Sequence, residues 1–171
     1  MSHSNNNRKV VRAAASSPGT LSPTTSITIA VDTAYIASQQ GQNISQGVYL
    51  MDNQRANGST GEGTTELSTV CHVGSLIGFL ALPINASGSS GDQVVITGFT
   101  VSQGSVFGSQ GIPVAQPMMD SQPASELGSN YWIGQAMNTG SQTYQVQLAV
   151  TVGQLRPTTY FINWDPFIKA Q

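Results

Sequence analysis

The chain has 171 residues, only 8% of them charged, and a formal net charge of −2; that length fits about one domain with a core large enough to stand without disulfide or metal staples. Arg8, Lys9 and Arg12 crowd near the start, so residues 13–171 hold three basic side chains against eight acidic ones, a net of −5. Such a body lacks the basic groove that neutralises phosphates, which excludes nucleic acid as a partner.

Residues 1–25, MSHSNNNRKVVRAAASSPGTLSPTT, carry positive charge but no apolar run of the length a secretory signal needs. They are expected to form a disordered tail, with residues 26–171 as one domain, and a cytoplasmic location follows unless export takes another route. Ile27–Thr33 alternates as a strand should, and Ala34–Gln40, stopped by Gly41, fits a short helical turn. Val48–Asp52 is the next strand. It is followed by the turn-rich segment ANGSTGEG and then by Thr65–Val73, Leu76–Leu82 and Gln93–Val101. The apolar run Leu76–Ile84 is about half the length that spans a bilayer, so no membrane span is expected. Pro123–Leu127, with Gly128 as its stop, fits a second helical turn. Tyr131–Met137, Thr143–Val152 and Thr158–Trp164 complete about eight strands.

The clearest of these is Thr143–Val152. Tyr144, Val146, Leu148, Val150 and Val152 alternate with Gln145, Gln147, Ala149 and Thr151, which gives one apolar face and one neutral polar face. Many short strands without a sustained helical period predict an all-β fold, an antiparallel β-sandwich of jelly-roll or immunoglobulin-like type with one or two short helical turns. The predicted core contains Ile27, Ile29, Val31, Leu67, Phe79, Ile96, Tyr144, Val146, Leu148, Val150 and Ile162. A surface built from Gly, Ser, Thr, Gln and Asn, with little charge to oppose contact, also favours self-association as a homodimer or larger homo-oligomer.

Catalytic signatures are missing from the sequence. Lys9 and Lys169 are the only lysines and neither follows a glycine, so there is no P-loop; nucleophile-elbow, zincin-helix and dinucleotide-loop patterns are absent too. The segment from Asp52 imitates a calcium loop but has its glycine one place late and Ala56 where a ligand belongs. Cys71 is the only cysteine, which excludes an intrachain disulfide, and its apolar neighbours favour a buried, inert thiol. Adjacent residues of a strand face opposite ways, so Cys71 and His72 cannot form a dyad. Glu66, Ser68 and His72 share a face but lie too far apart along a strand for a triad.

Two candidate sites remain. Asp52, Glu62 and Glu66 flank a Gly-rich loop and could converge on calcium, the one cofactor considered, or act as an acid–base pair in a hydrolase; a solvated acidic loop explains them as well. Trp132 and Trp164, with Tyr131 and Tyr160 beside them, join Asn130, Gln135 and Asn163 in offering flat apolar faces and neutral hydrogen bonds. That is the chemistry of a lectin-like carbohydrate-binding module with glycans as partners, although core packing accounts for each ring equally. N-x-S/T sequons at Asn43, Asn57 and Asn85 are no more than so Ser/Thr-rich a chain supplies by chance.

The order VDTAYI, VYLMDN, GEGTTELSTVCHVGSLIGF, YWIGQAM and YQVQLAVTVGQLRPTTYFINWDPF, over about Ile27–Ile168, resembles the bacterial PixA and AidA type inclusion-body proteins. It departs from methionine-rich members of that group, since the body holds only Met51, Met118, Met119 and Met137. The resemblance implies a small, soluble, non-enzymatic β-sandwich of a proteobacterium, abundant, often under quorum-sensing or stationary-phase control, found as inclusions and tied to host interaction and virulence. It implies no catalytic residue.

Overall fold

The computed structural model describes residues 22–42, 44–84, 91–119 and 125–171. The described elements are β1 (Thr25–Asp32), α1 (Thr33–Ser38), β2 (Val48–Asp52), a 3₁₀ turn (Arg55–Asn57), β3 (Ser68–Cys71), β4 (Leu76–Ile84), β5 (Gln93–Gln103), β6 (Val114–Ala115), β7 (Tyr131–Gln135), β8 (Gly140–Val152), β9 (Thr158–Trp164) and β10 (Phe167–Ala170). One sheet runs β2-β1-β4-β7-β6; the other runs β3-β10-β8-β5, with β9 also on β8. The expected all-β sandwich is therefore present. The sheets are mixed rather than antiparallel throughout as expected, because β1 lies parallel to β4 and β3 parallel to β10 while the remaining pairs are antiparallel.

The strand β8 organises the second sheet. Its inward residues Tyr144, Val146, Leu148 and Val150 are fully buried, as a period of two requires of a strand with a core on one side. One long edge of β8 takes β5. The other takes β9 and β10 in a single continuous register, from Val152 opposite Thr158 to Gly140 opposite Ala170, broken only at Asp165–Pro166. The register of β5 against β8 shifts twice, between Ile96 and Gly98 and between Val101 and Gln103. Bulges of this kind let a twisted strand keep its apolar residues on the core side.

Aromatic contacts join the two sheets. Phe79 of β4 meets Phe99 of β5 with ring centroids 4.8 Å apart and Tyr144 of β8 at 5.7 Å; Trp132 of β7 lies 5.4 Å from Phe99. Tilted and edge-on rings at such distances are worth roughly 0.5–1.5 kcal/mol per pair beyond their burial. All eleven predicted core residues lie in the buried cluster between the sheets. Sequence reasoning did not anticipate Phe107, which is fully buried and edge-on to Tyr144 at 5.7 Å. Its loop is held by Gln142, whose side chain accepts from the Phe107 N–H at 2.8 Å and donates to the Gly104 carbonyl at 3.2 Å. Gly104 has φ +92°, and a Cβ there would sit 2.2 Å from the Ser141 carbonyl oxygen, so only glycine fits.

The helical turn expected at Ala34–Gln40 is α1, capped by the Asp32 carboxylate, which accepts from the Tyr35 N–H at 2.9 Å. Of the turn expected at Pro123–Leu127, residues 120–124 lie outside the described residues; Ser125–Gly128 forms a tight loop closed by a bridge between its ends. Most of the expected tail, residues 1–21, also lies outside them, as do the sequons at Asn43 and Asn85. Truncating the fully buried Leu148 to Ala should cost about 2–5 kcal/mol of unfolding free energy, measured by denaturant titration. A loss below about 1 kcal/mol would show that β8 does not anchor the core.

Candidate functional site

The residues proposed for sugar contact divide between the two sheets. Trp132 and Gln135 lie on β7, with Asn130 just before it, whereas Asn163 and Trp164 lie on β9. Asn130 is fully buried and internally satisfied: its side chain accepts from the Met119 N–H at 2.8 Å and donates to the Met119 carbonyl at 3.0 Å. The Trp132 indole N–H donates inward to the carbonyls of Ile96 and Ser129, at 3.2 and 3.1 Å. Trp164 packs on the core from the opposite sheet, and its register partner is the buried Val146. Gln135 donates to the Gly74 carbonyl at 3.2 Å, and Asn163 is exposed on the outward side of β9. The structure thus brings Asn130 and Trp132 together as packing residues and does not join them to Asn163 and Trp164.

Of the acidic candidates, Asp52 and Glu62 meet and Glu66 does not join them. Glu62 reaches back to β2, where its carboxylate accepts from the Asp52 N–H at 3.1 Å, and one Asp52 oxygen accepts from the Gln54 N–H at 2.7 Å. The other Asp52 oxygen is buried without a hydrogen-bond partner. Glu66 is exposed and apart; among the described residues no three acidic, His or Cys side chains converge as a metal site would require. The loop that carries Glu62 turns on Gly61, at φ +80°, where a Cβ would fall 2.4 Å from the Glu66 carbonyl oxygen. Partial burial pushes the Glu62 carboxyl above its ordinary 4.5; the adjacent Asp52 carboxyl adds to this, while the Asp52 N–H and Arg55 pull the other way.

Cys71 is buried, and desolvation pushes its thiol up to about 11, so it is an unreactive packing residue as its neighbours suggested. His72 follows it on the exposed side. Burial also drives the Tyr144 phenol far upward, and its hydroxyl has no hydrogen-bond partner.

Sequence reasoning missed an open cleft of about 340 Å³ beside β2, lined by Ser45, Gln46, Val48, Tyr49, Gly63, Thr64 and Thr65. Tyr49 is 38% exposed there, and the lining holds hydroxyls, an amide and one ring but no ionisable acid or base other than that phenol. The signal was present in the alternation of VYLMD, which puts Tyr49 on the outward side of β2, opposite the buried Val48 and Leu50.

The raised Glu62 carboxyl gives stability a definite sign. The folded chain holds this proton more tightly than the unfolded one, so the contribution is full below about pH 4.5 and is lost as pH rises through the folded value. Glu62→Gln keeps an acceptor for the Asp52 N–H and cannot ionise. Thermal midpoints taken from pH 4 upward should fall less steeply for the variant than for the native chain; identical slopes would rule out this linkage.

No curated protein matches the chain. Among solved structures, the crystal structure of a PixA inclusion body protein from Burkholderia cenocepacia J2315 superposes with a TM-score of 0.64 at 18% identity, covering 91% of this chain and 99% of that one. At that identity the likeness establishes a shared fold, and to that extent the resemblance read from the sequence is borne out. A family model matches residues 23–156, which is most of the sandwich, and the chain accordingly belongs to the family described as domain of unknown function DUF8788.

Proposed function

We propose that this chain is a non-catalytic, self-associating protein of the inclusion-body type. One observation carries the reading: the outward face of the second sheet, across β5, β8 and β9, presents Thr100, Gln145, Gln147, Thr151, Thr159, Phe161 and Asn163, and the one carboxylate bonded to these residues is that of Asp165, just past β9, which accepts from the Gln145 amide at 3.1 Å. These groups are cross-linked among themselves, Gln147 to Thr100 at 3.3 Å and Thr151 to Thr159 at 2.9 Å. Phe161 stands 66% exposed among them. Such a face costs less to desolvate than a charged one and meets little like-charge repulsion against another protein surface. The fold shared with an inclusion body protein supports the same reading. Abundance in the cell and contact with a host belong to this proposal on the family likeness alone.

Among the described residues no helix is long and apolar enough to cross a membrane. Sedimentation velocity across a wide concentration range should show the full chain moving from monomer to larger species. A strictly monomeric chain at the highest concentration would overturn the proposal.

A second reading is favoured by the cleft at Tyr49. A ring flanked by Ser45, Gln46, Thr64 and Thr65 suits a neutral, hydroxyl-rich ligand such as a glycan. This moves the lectin-like alternative from the two tryptophans to the β2 side, close to Asp52 and Glu62, where calcium remains part of the proposal. A glycan array run with calcium and with chelator should give binding that Tyr49→Ala removes, and silence in both conditions would end this reading.

A further inference from the structure

The sandwich has five strand edges that a neighbour could extend, and four of them are blunted. The outer edge of β2 is closed by its own loop: Gly63 N–H donates to the Leu50 carbonyl at 2.8 Å, Leu50 N–H donates to Thr64, and the Glu62 carboxylate takes the Asp52 N–H. β6 is two residues long between Pro113 and Pro117. β3 is four residues long and is bonded through Ser68 to Thr60 in both directions. β5 is broken by its two register shifts and bonds Ser129 through Ile96 N–H at 2.8 Å. These are the usual protections against edge-to-edge pairing: short strands, prolines, bulges and covering loops.

β9 is flanked by Pro157 and Pro166 and bordered by the loop at Gly41 and Ile44, but it is seven residues long and among the described residues nothing bonds to its outer backbone. Its residues, TTYFINW, pair with β8 in unbroken register and include no proline, glycine or charge. The line it shares with β10 is covered by β3 over the β10 half only. A groove of about 190 Å³, lined by Gly41, Ile44, Phe161, Ile162 and Asn163, borders the uncovered half.

We infer that β9 pairs antiparallel with β9 of a second copy about a two-fold axis at Phe161, joining two five-stranded sheets into one of ten strands. This rests on the self-association reading and assigns it an interface. A two-fold axis perpendicular to the sheet keeps outward residues outward, so Phe161 meets Phe161 and Thr159 meets Asn163, pairs that suit an exposed sheet face. The ends of the strand select the occupant. Arg156 precedes β9 and Asp165 follows it, one Asp165 oxygen accepting from the Gln145 amide at 3.1 Å. Antiparallel pairing centred on Phe161 sets Asp165 opposite Pro157 of the other copy and therefore beside its Arg156, an attraction repeated at both ends. Parallel pairing would instead bring each charge toward its own kind.

The test uses the full chain in sedimentation equilibrium, with circular dichroism as a check on folding. Phe161→Lys, at an exposed position, places like charges opposite one another and should leave monomer. Arg156→Asp and Asp165→Arg should each weaken the dimer by up to about tenfold, and the double charge swap should restore it. Hydrogen exchange of the amides of residues 158–164 should slow as protein concentration rises. Self-association that none of the three substitutions touches would overturn this interface and leave the wider proposal standing, whereas a monomer at every concentration would overturn both. Protection of β9 that is independent of concentration would show that another segment of the same chain covers the edge, and would also overturn the inference.

Discussion

The structure depends on the side-chain alternation of β8. From Gln142 to Leu148 buried and half-buried residues alternate without interruption, and Tyr144, Val146, Leu148 and Val150, all fully buried, face the other sheet. Because β8 carries β5 on one edge and the collinear β9 and β10 on the other, a slip of one residue would turn every one of these neighbours inside out. The neighbours adapt to β8 rather than the reverse. β5 absorbs mismatch in two bulges, and the β9–β10 line breaks at Asp165–Pro166, where proline cannot supply a ladder N–H.

Much of this was legible because it is local. β2 and β9 begin and end where alternation and turn residues place them, and α1 falls within two residues of the turn that the stop at Gly41 marks, its Asp32 cap unread. β6 and β10 went unread because two and four residues are too short to express a period, and each lies beside proline. The parallel pairs β1/β4 and β3/β10 were out of reach for a different reason. They join segments far apart in the chain, and alternation says which face is buried but not which strand lies alongside.

The candidate sites show the same limit. An aromatic beside an amide reads alike whether it waits for a sugar or fills a core, and only the Ile96 and Ser129 carbonyls that receive the Trp132 indole N–H decide between the two for that ring. Nearness of Asp52 and Glu62 was readable because a ten-residue Gly-rich loop returns on itself, and the separate position of Glu66 was not, since it depends on how the chain leaves that loop for β3. Tyr49 was hidden in a strand that looked purely structural.

The neutral outward face has a consequence for control. Away from its Asp165 end, the amides, hydroxyls and phenyl ring of this face hold no counterion cloud and gain or lose no proton in the physiological range, so the solution variables that a cell adjusts quickly have little grip on contacts made there. What remains is the number of molecules per unit volume. Under the proposed self-association, a surface of this composition turns the rate of synthesis into the governing dial, and assembly follows transcription of the gene more closely than any change in the medium around the finished protein.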